Sequence, residues 1–253
     1  MRSVFVALAA ALFGAACSAQ ISGGGGSGGQ LVDVDAGSTG GPTTDAMPPP
    51  TTPSCTSRTV YLNFEGQMLT QGPSDATQNQ AGWMTIPSGT APPYLSGNAN
   101  RAAAIQTITD GVRMELSQFP ITVVTTRPAS GNYVMIVFGG QNTAVGSKYT
   151  GAVNQLDCGD QRPNDVAWIS DGVTPVQHVI NDTIGAIGFG LGLTATSDPM
   201  DCMCGWANNC QSIDTAPCTL GSPIARDTTA SQTCSGAAAR QDEVATLHNA
   251  FCM

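Results

Sequence analysis

The sequence predicts an α+β domain, a mixed sheet with helices laid against it, held behind an export signal and a tether. Three observations point there. Strand-like and helical runs alternate from about Cys55 onward, and residues 18–54 have a different composition altogether. Charged residues make up only 11% of the 253-residue chain, against roughly 25% in an ordinary soluble domain, so Ser, Thr, Asn, Gln and Gly must carry the surface.

The opening segment, MRSVFVALAAALFGAACSAQ, has Arg2 as a short basic region and an apolar run from Val4 to Ala16 that is too short to span a bilayer. It reads as an export signal over residues 1–17. Cleavage after Ala16 leaves Cys17 as a lipidatable N-terminus; Cys17-Ser18-Ala19 offers an ordinary secretory site instead. "GAAC" resembles the bacterial lipoprotein signal, with Gly14 where that signal prefers Leu. Residues 18–54 ("SGGGGSGGQ", "AGSTGGPTTDAMPPPTTP") contain no aromatic residue and cannot bury enough to fold. A coil of this length reaches on the order of 30 Å, which suits a tether.

The domain proper is expected over 55–253. "TVYLNF" (Thr59 to Phe64) reads as a first strand, and a polar, turn-rich stretch follows it. Ile105, Ile108, Val112, Leu116 and Phe119 recur at helical spacing before Pro120 ends the run. "ITVVTT" and "YVMIVFGG" are strand-like and separated by the turn composition "RPASGN", so they are expected to be neighbours. "SKYTGAVNQL" suggests an edge strand and "DVAWIS" a buried one. Thr174-Pro175 offers an N-cap and first-turn proline for a helix through "VQHVINDTIGAIG". A last helix is expected from about Ala237 to Phe251, with Val244, Leu247 and Phe251 facing inward.

Nine cysteines are odd, but setting Cys17 aside leaves Cys55, Cys158, Cys202, Cys204, Cys210, Cys218, Cys234 and Cys252. In an exported chain the default use of eight is disulfide formation, and the spacing does not choose the pairing. Cys202, Cys204, Cys210 and Cys218 could alternatively gather as a four-sulfur zinc site. The formal net charge is −9 and the pI about 4.3, so phosphate backbones and anionic headgroups are repelled and nucleic acid is excluded as a partner.

The segment "DTIGAIGFGLGLTATSDPMDCM" (Asp182 to Met203) resembles the active-site helix and Met-turn of metzincin-type zinc peptidases, H-E-x-x-H-x-x-G-x-x-H followed by a loop and Met. On that frame the helix-breaking glycine is Gly192 and the Met-turn methionine is Met203. The first ligand position holds Gly185, the general-base position Ala186, the second ligand position Phe189 and the third Ala195. The resemblance implies a metzincin-like twisted, mostly parallel sheet with an edge strand, packed helices, a Met-turn and a Cys-rich C-terminal region. It also implies a domain without catalytic or metal-binding residues. In active relatives three imidazoles hold zinc and the Glu takes a proton from its water; Gly, Ala, Phe and Ala offer no lone pair for either task. Phe189, Leu191 and Leu193 are expected to fill that space.

Other constellations are weaker. His178 and Asp182 stand at i and i+4 on the stripe that continues to Gly185 and Phe189; this spacing admits a two-ligand pair, or a hydrogen-bonded pair near the helix start. Asp198 and Asp201 admit a cation site or, with Pro199, a turn closed by Asx bonding. Gly188-x-Gly190-x-Gly192 is not a dinucleotide fingerprint, and no G-x-S-x-G elbow occurs. The expected protein is exported, lipid-anchored at the outer membrane or extracellular, and its peptidase-like domain, without cofactor, binds a peptide or protein along its cleft or serves structurally. The alternative is a hydrolase with a site built on His178 and Asp182.

Overall fold

Strand β1 (Arg58–Asn63) forms where the β-branched and aromatic run Thr59-Val60-Tyr61 begins the domain. The computed structural model describes residues 58–250. The signal, the tether, Cys17, Cys55, Phe251 and Cys252 lie outside the described residues.

After β1 come β2 (Gln67–Gln71), β3 (Gln80–Ala81), β4 (Ser88–Ala91), α1 (Arg101–Glu115), β5 (Ile121–Val124), β6 (Tyr133–Phe138) and the one-turn α2 (Asn142–Val145). Then follow β7 (Ala152–Val153), β8 (Val166–Ile169), α3 (Val176–Gly190), β9 (Ile224–Ala225), β10 (Arg240–Gln241) and α4 (Glu243–Ala250). The main sheet has five strands in the order β5-β1-β6-β8-β7. All its pairings are parallel except β7 against β8. The architecture is therefore mixed α/β with a mostly parallel sheet and an antiparallel edge strand, as the sequence leads one to expect at that level.

Period-2 alternation assigns the two faces. Val60, Leu62, Val134, Ile136, Ala167 and Ile169 share one core cluster with Ile108 and Val112 of α1 and Ile180, Ile184 and Ile187 of α3. Tyr61, Met135, Val137, Val166 and Trp168 point the other way, joining Leu69 and Met84. Every residue of β6 is buried, as a central strand covered on both faces requires. Each such large apolar side chain contributes about 1.5–3 kcal/mol.

Several expectations need correction. β5 and β6 are not neighbours: β1 lies between them, with Thr59 registered against both Thr122 and Tyr133. Both run parallel to β1, so "RPASGN" cannot close a hairpin and serves as a crossover. The polar stretch after β1 is a second, three-stranded sheet of order β3-β2-β4, which lacks clean apolar alternation. It is held by burial of Leu69, Ala81 and Met84 and by the Trp83 indole, whose Nε1 donates to the Val166 carbonyl at 2.8 Å.

Helix α1 stops at Glu115, four residues before Phe119, although Leu116 and Phe119 remain buried in the following turns. Thr174 does not cap α3; Pro175 holds that position in extended conformation without a side-chain cap bond. The last helix begins only at Glu243, because Arg240–Gln241 pairs with β9 and Asp242 accepts the Ala245 amide at 2.8 Å as a side-chain cap.

Among the described residues, three disulfides join Cys158 to Cys234, Cys202 to Cys218 and Cys204 to Cys210. The four sulfurs weighed as a zinc cluster are thus paired two by two. Such pairing fits an oxidising, exported environment. Among the described residues no helix is long and apolar enough to cross a membrane.

Candidate functional site

Helix α3 lays one face along a cleft of about 290 Å³. It is walled by Gly151 to Asn154 around the edge strand β7, the α3 residues His178, Asp182 and Phe189, and the loop from Cys204 to Asp214, with Tyr149 and Gln232 beside them. Positions 178, 182, 185 and 189 fall on one helical stripe, so a single face presents all of them.

At the middle of that stripe stands Gly185. A Cβ there would run into Trp206 Nε1 and stand 2.6 Å from the Cys202 carbonyl oxygen. The bare backbone lets the indole lie against the helix, its ring 5.3 Å from that of Phe189 at an interplanar angle of 36°. An aromatic pair of this kind contributes about 0.5–1.5 kcal/mol beyond its burial. The loop bearing Trp206 is closed by Cys204–Cys210 and tied down by Asn208. Asn208 Oδ1 accepts the Gly205 and Cys210 amides at 3.1 and 3.2 Å, and Nδ2 donates to the Thr196 carbonyl and to Asp227, both at 2.8 Å.

The positions singled out in the sequence separate here. Gly185 and Phe189 meet at Trp206. Met203 is fully buried, its sulfur 2.9 Å from where a Cβ on Gly188 would stand. Ala186 belongs to the core cluster, and its carbonyl accepts Asn154 Nδ2 at 2.8 Å. Ala195 is buried and accepts the Asp227 amide at 2.8 Å; it does not line the cleft. Gly192 takes φ +89° just past the helix end, the left-handed conformation that suits glycine. Leu191 and Leu193 are core residues. These side chains do not fit a zinc ion: they supply no donor atom, and the Trp206 indole takes the space an imidazole at 185 would need.

At the N-terminal end of the cleft His178 lies between two carboxylates. Its Nε2 is 3.5 Å from Asp182 Oδ1 and its Nδ1 is 3.3 Å from Asp214 Oδ2. The bond to Asp182 raises the imidazole pKa against the opposing effect of burial, and burial raises that of Asp182. Ser212 Oγ donates to the far oxygen of Asp214 at 2.6 Å. Both ring nitrogens therefore face acids, and the one hydroxyl tied into the cluster reaches a carboxylate, not the imidazole, which is the wrong order for a nucleophile–base pair. Among the described residues no group of three or more His, Cys, Asp and Glu is arranged to hold a metal ion. Asp198 and Asp201 make the turn instead: Asp198 Oδ1 accepts the Met200 amide at 3.0 Å, and Asp201 Oδ1 accepts the Met203 amide and the Thr196 hydroxyl at 2.8 and 2.9 Å.

Sequence reasoning missed Trp206, Tyr149, Asn154 and Asp214 as cleft residues. Only Trp206 carried a signal, standing between two cysteines close in sequence; the others arrive through tertiary contact alone. No family model matches the chain, and no curated protein is significantly similar to it.

Two buried acid clusters brace the surroundings. Glu243 is fully buried, its Oε1 accepting Gln241 Nε2 and its Oε2 the Gly221 amide, both at 2.7 Å. Burial and the adjacent Asp201 push its pKa up to about 8, so it carries a proton towards the neighbouring carboxylate at neutral pH. Behind the end of α3, Arg162 Nε donates to Asp165 at 2.8 Å and its guanidinium faces Asp157 at 3.7 Å, while Arg58 pairs with Asp160. Burial, against the pull of Arg162, raises Asp165 to about 6.

Proposed function

We propose that the protein is a lipid-anchored surface module, resembling a zinc peptidase whose site has been lost, that binds an extended peptide or protein segment in the cleft beside α3. The observation that carries this is the Gly185–Trp206–Phe189 packing. Where a metal-dependent relative would gather imidazoles, an indole and a phenyl ring pack against each other, 8% and 1% exposed, with no titratable group between them.

The edge strand β7 runs along the same cleft, and an extended segment can add to a sheet edge through main-chain hydrogen bonds while pockets read its side chains. The tether and Cys17 then supply distance from and attachment to a membrane. A hydrolase built on His178 and Asp182 is the competing reading, favoured only by the presence of His178, Asp182 and Asp214 in this cleft.

Metal analysis of the purified oxidised protein, together with a peptide-library cleavage and binding assay, tests the proposal. The expected outcome is peptide binding without turnover, weakened by Tyr149→Ala at the cleft mouth. Stoichiometric zinc with chelator-sensitive cleavage would overturn it, and cleavage lost in His178→Ala would establish the competing reading.

A further inference from the structure

We propose that the cleft selects segments bearing a lysine or arginine side chain, the cationic head meeting Asp182 and Asp214 beside His178 and the stem lying along Tyr149. The inference rests on the cleft being a peptide site and adds the class of side chain it reads.

Charge complementarity carries the choice. No lysine or arginine lines the cleft. The adjoining hollow, which shares Tyr149, Gly205, Ala207 and Cys210 with it and adds Asn208, Asn209, Asp227 and Thr229, has none either. Lys148, exposed beside Tyr149, is the chain's sole lysine and lines neither. Two carboxylates oppose one imidazole, so with both acids ionised the cluster keeps a negative charge even when His178 is protonated.

Nor are those carboxylates saturated. Their contacts to His178, at 3.5 and 3.3 Å, are longer than the roughly 2.7–2.9 Å of a tight charge-assisted bond. Asp214 also accepts Ser212 Oγ at 2.6 Å, but each carboxylate still has more lone-pair directions than its contacts use. Both acid side chains reach the surface, at 20% and 28% exposure. A primary ammonium or guanidinium supplies the missing donors, whereas a glutamate or aspartate would be repelled.

The apolar wall completes the match. Long cationic side chains lay their methylenes on apolar surface and leave the head in a polar environment, and aromatic faces attract the cation itself. The half-exposed Tyr149 supplies such a face in the cleft, with Trp206 and Phe189, 8% and 1% exposed, packed behind it.

The test uses the full oxidised chain against a random peptide library, followed by titration of the selected peptides. Binders weakened by Tyr149→Ala are expected to be enriched in lysine or arginine. Replacing that residue by norleucine or citrulline is expected to cost about tenfold in affinity, the worth of one charge-assisted bond. Asp214→Asn, with an unchanged thermal midpoint, should cost a similar factor, and added salt should weaken only the charged peptide. If the neutral isosteres bind as tightly, the basic-side-chain inference fails while peptide binding stands. If no selected peptide responds to Tyr149→Ala, the cleft reading itself fails. The isostere comparison leaves the protein untouched, so it decides even if Asp214→Asn does not fold.

Discussion

Trp206 stands in the space that a side chain on Gly185 would need, and the Cys202 carbonyl, 2.6 Å from the Cβ position, closes the same space from the backbone side. Gly185→Ala, which elsewhere in a helix gains about 1 kcal/mol, is therefore expected to lower stability by about 1–3 kcal/mol through overpacking. Thermal melts check this. Adding Trp206→Ala should recover only part of the loss relative to Trp206→Ala alone, because the carbonyl contact remains. A variant carrying Gly185→His, Ala186→Glu, Phe189→His and Ala195→His should fail to bind zinc, because Trp206 and the Cys202 carbonyl take the space at 185 and Ala195 does not line the cleft.

The buried acids set an unusual pH dependence. Glu243 rises from an ordinary value near 4.5 to about 8, and Asp165 from 3.8 to about 6. Between those limits the folded chain keeps protons that the unfolded chain has released, so stability falls as pH rises. The contribution is full below pH about 4 and is lost by pH about 8, and each tenfold difference in proton affinity between folded and unfolded chain is worth about 1.4 kcal/mol. Asp227, held down to about 2 by Thr229 and Asn208, and Asp242, lowered by the Ala245 amide, act oppositely below that range. Denaturant titrations from pH 4 to 9 should place the optimum on the acid side of neutrality. Glu243→Gln should flatten the slope between pH 5 and 8.

Arg162 is the counter-charge for Asp157 and Asp165, which are 4% and 0% exposed. Arg162→Ala leaves both acids buried without it and should cost about 3 kcal/mol. The loss should grow as pH rises through 6, where Asp165 ionises. Chemical denaturation of the variant at pH 5 and pH 7.5 separates this electrostatic effect from a pH-independent loss of packing.

Disulfide removal should scale with the chain each bond closes. With separations of 76, 16 and 6 residues for Cys158–Cys234, Cys202–Cys218 and Cys204–Cys210, paired Cys→Ser variants should lose about 4–5, 3 and 2 kcal/mol. The smallest loss should have the largest effect on the cleft, since that bond closes the loop that presents Trp206. Calorimetry gives the stabilities and Trp fluorescence follows the loop.

The elements most legible in the sequence were those whose side chains obey a local period or composition. The first three turns of α1 follow from helical spacing, because burial of one face repeats along the chain, while β1, β6 and β8 follow from short β-branched and aromatic runs, β6 and β8 being buried at every position. Gly192 was placed at the helix end by the resemblance, and its φ of +89° is the conformation that suits glycine there. Chain composition alone likewise gives a domain of low charge, 11% charged residues with nine cysteines in the chain. Tertiary structure decided what no period encodes. It placed β1 between β5 and β6, built the small sheet from a polar stretch, and chose Cys202–Cys218 and Cys204–Cys210 over other pairings within the cluster. It also brought Asp214, Tyr149 and Trp206 to the stripe begun by His178 and Asp182. Those partners are dozens of residues apart or sit in irregular loops, and their proximity follows from how the sheet, α3 and the cross-linked loop pack together.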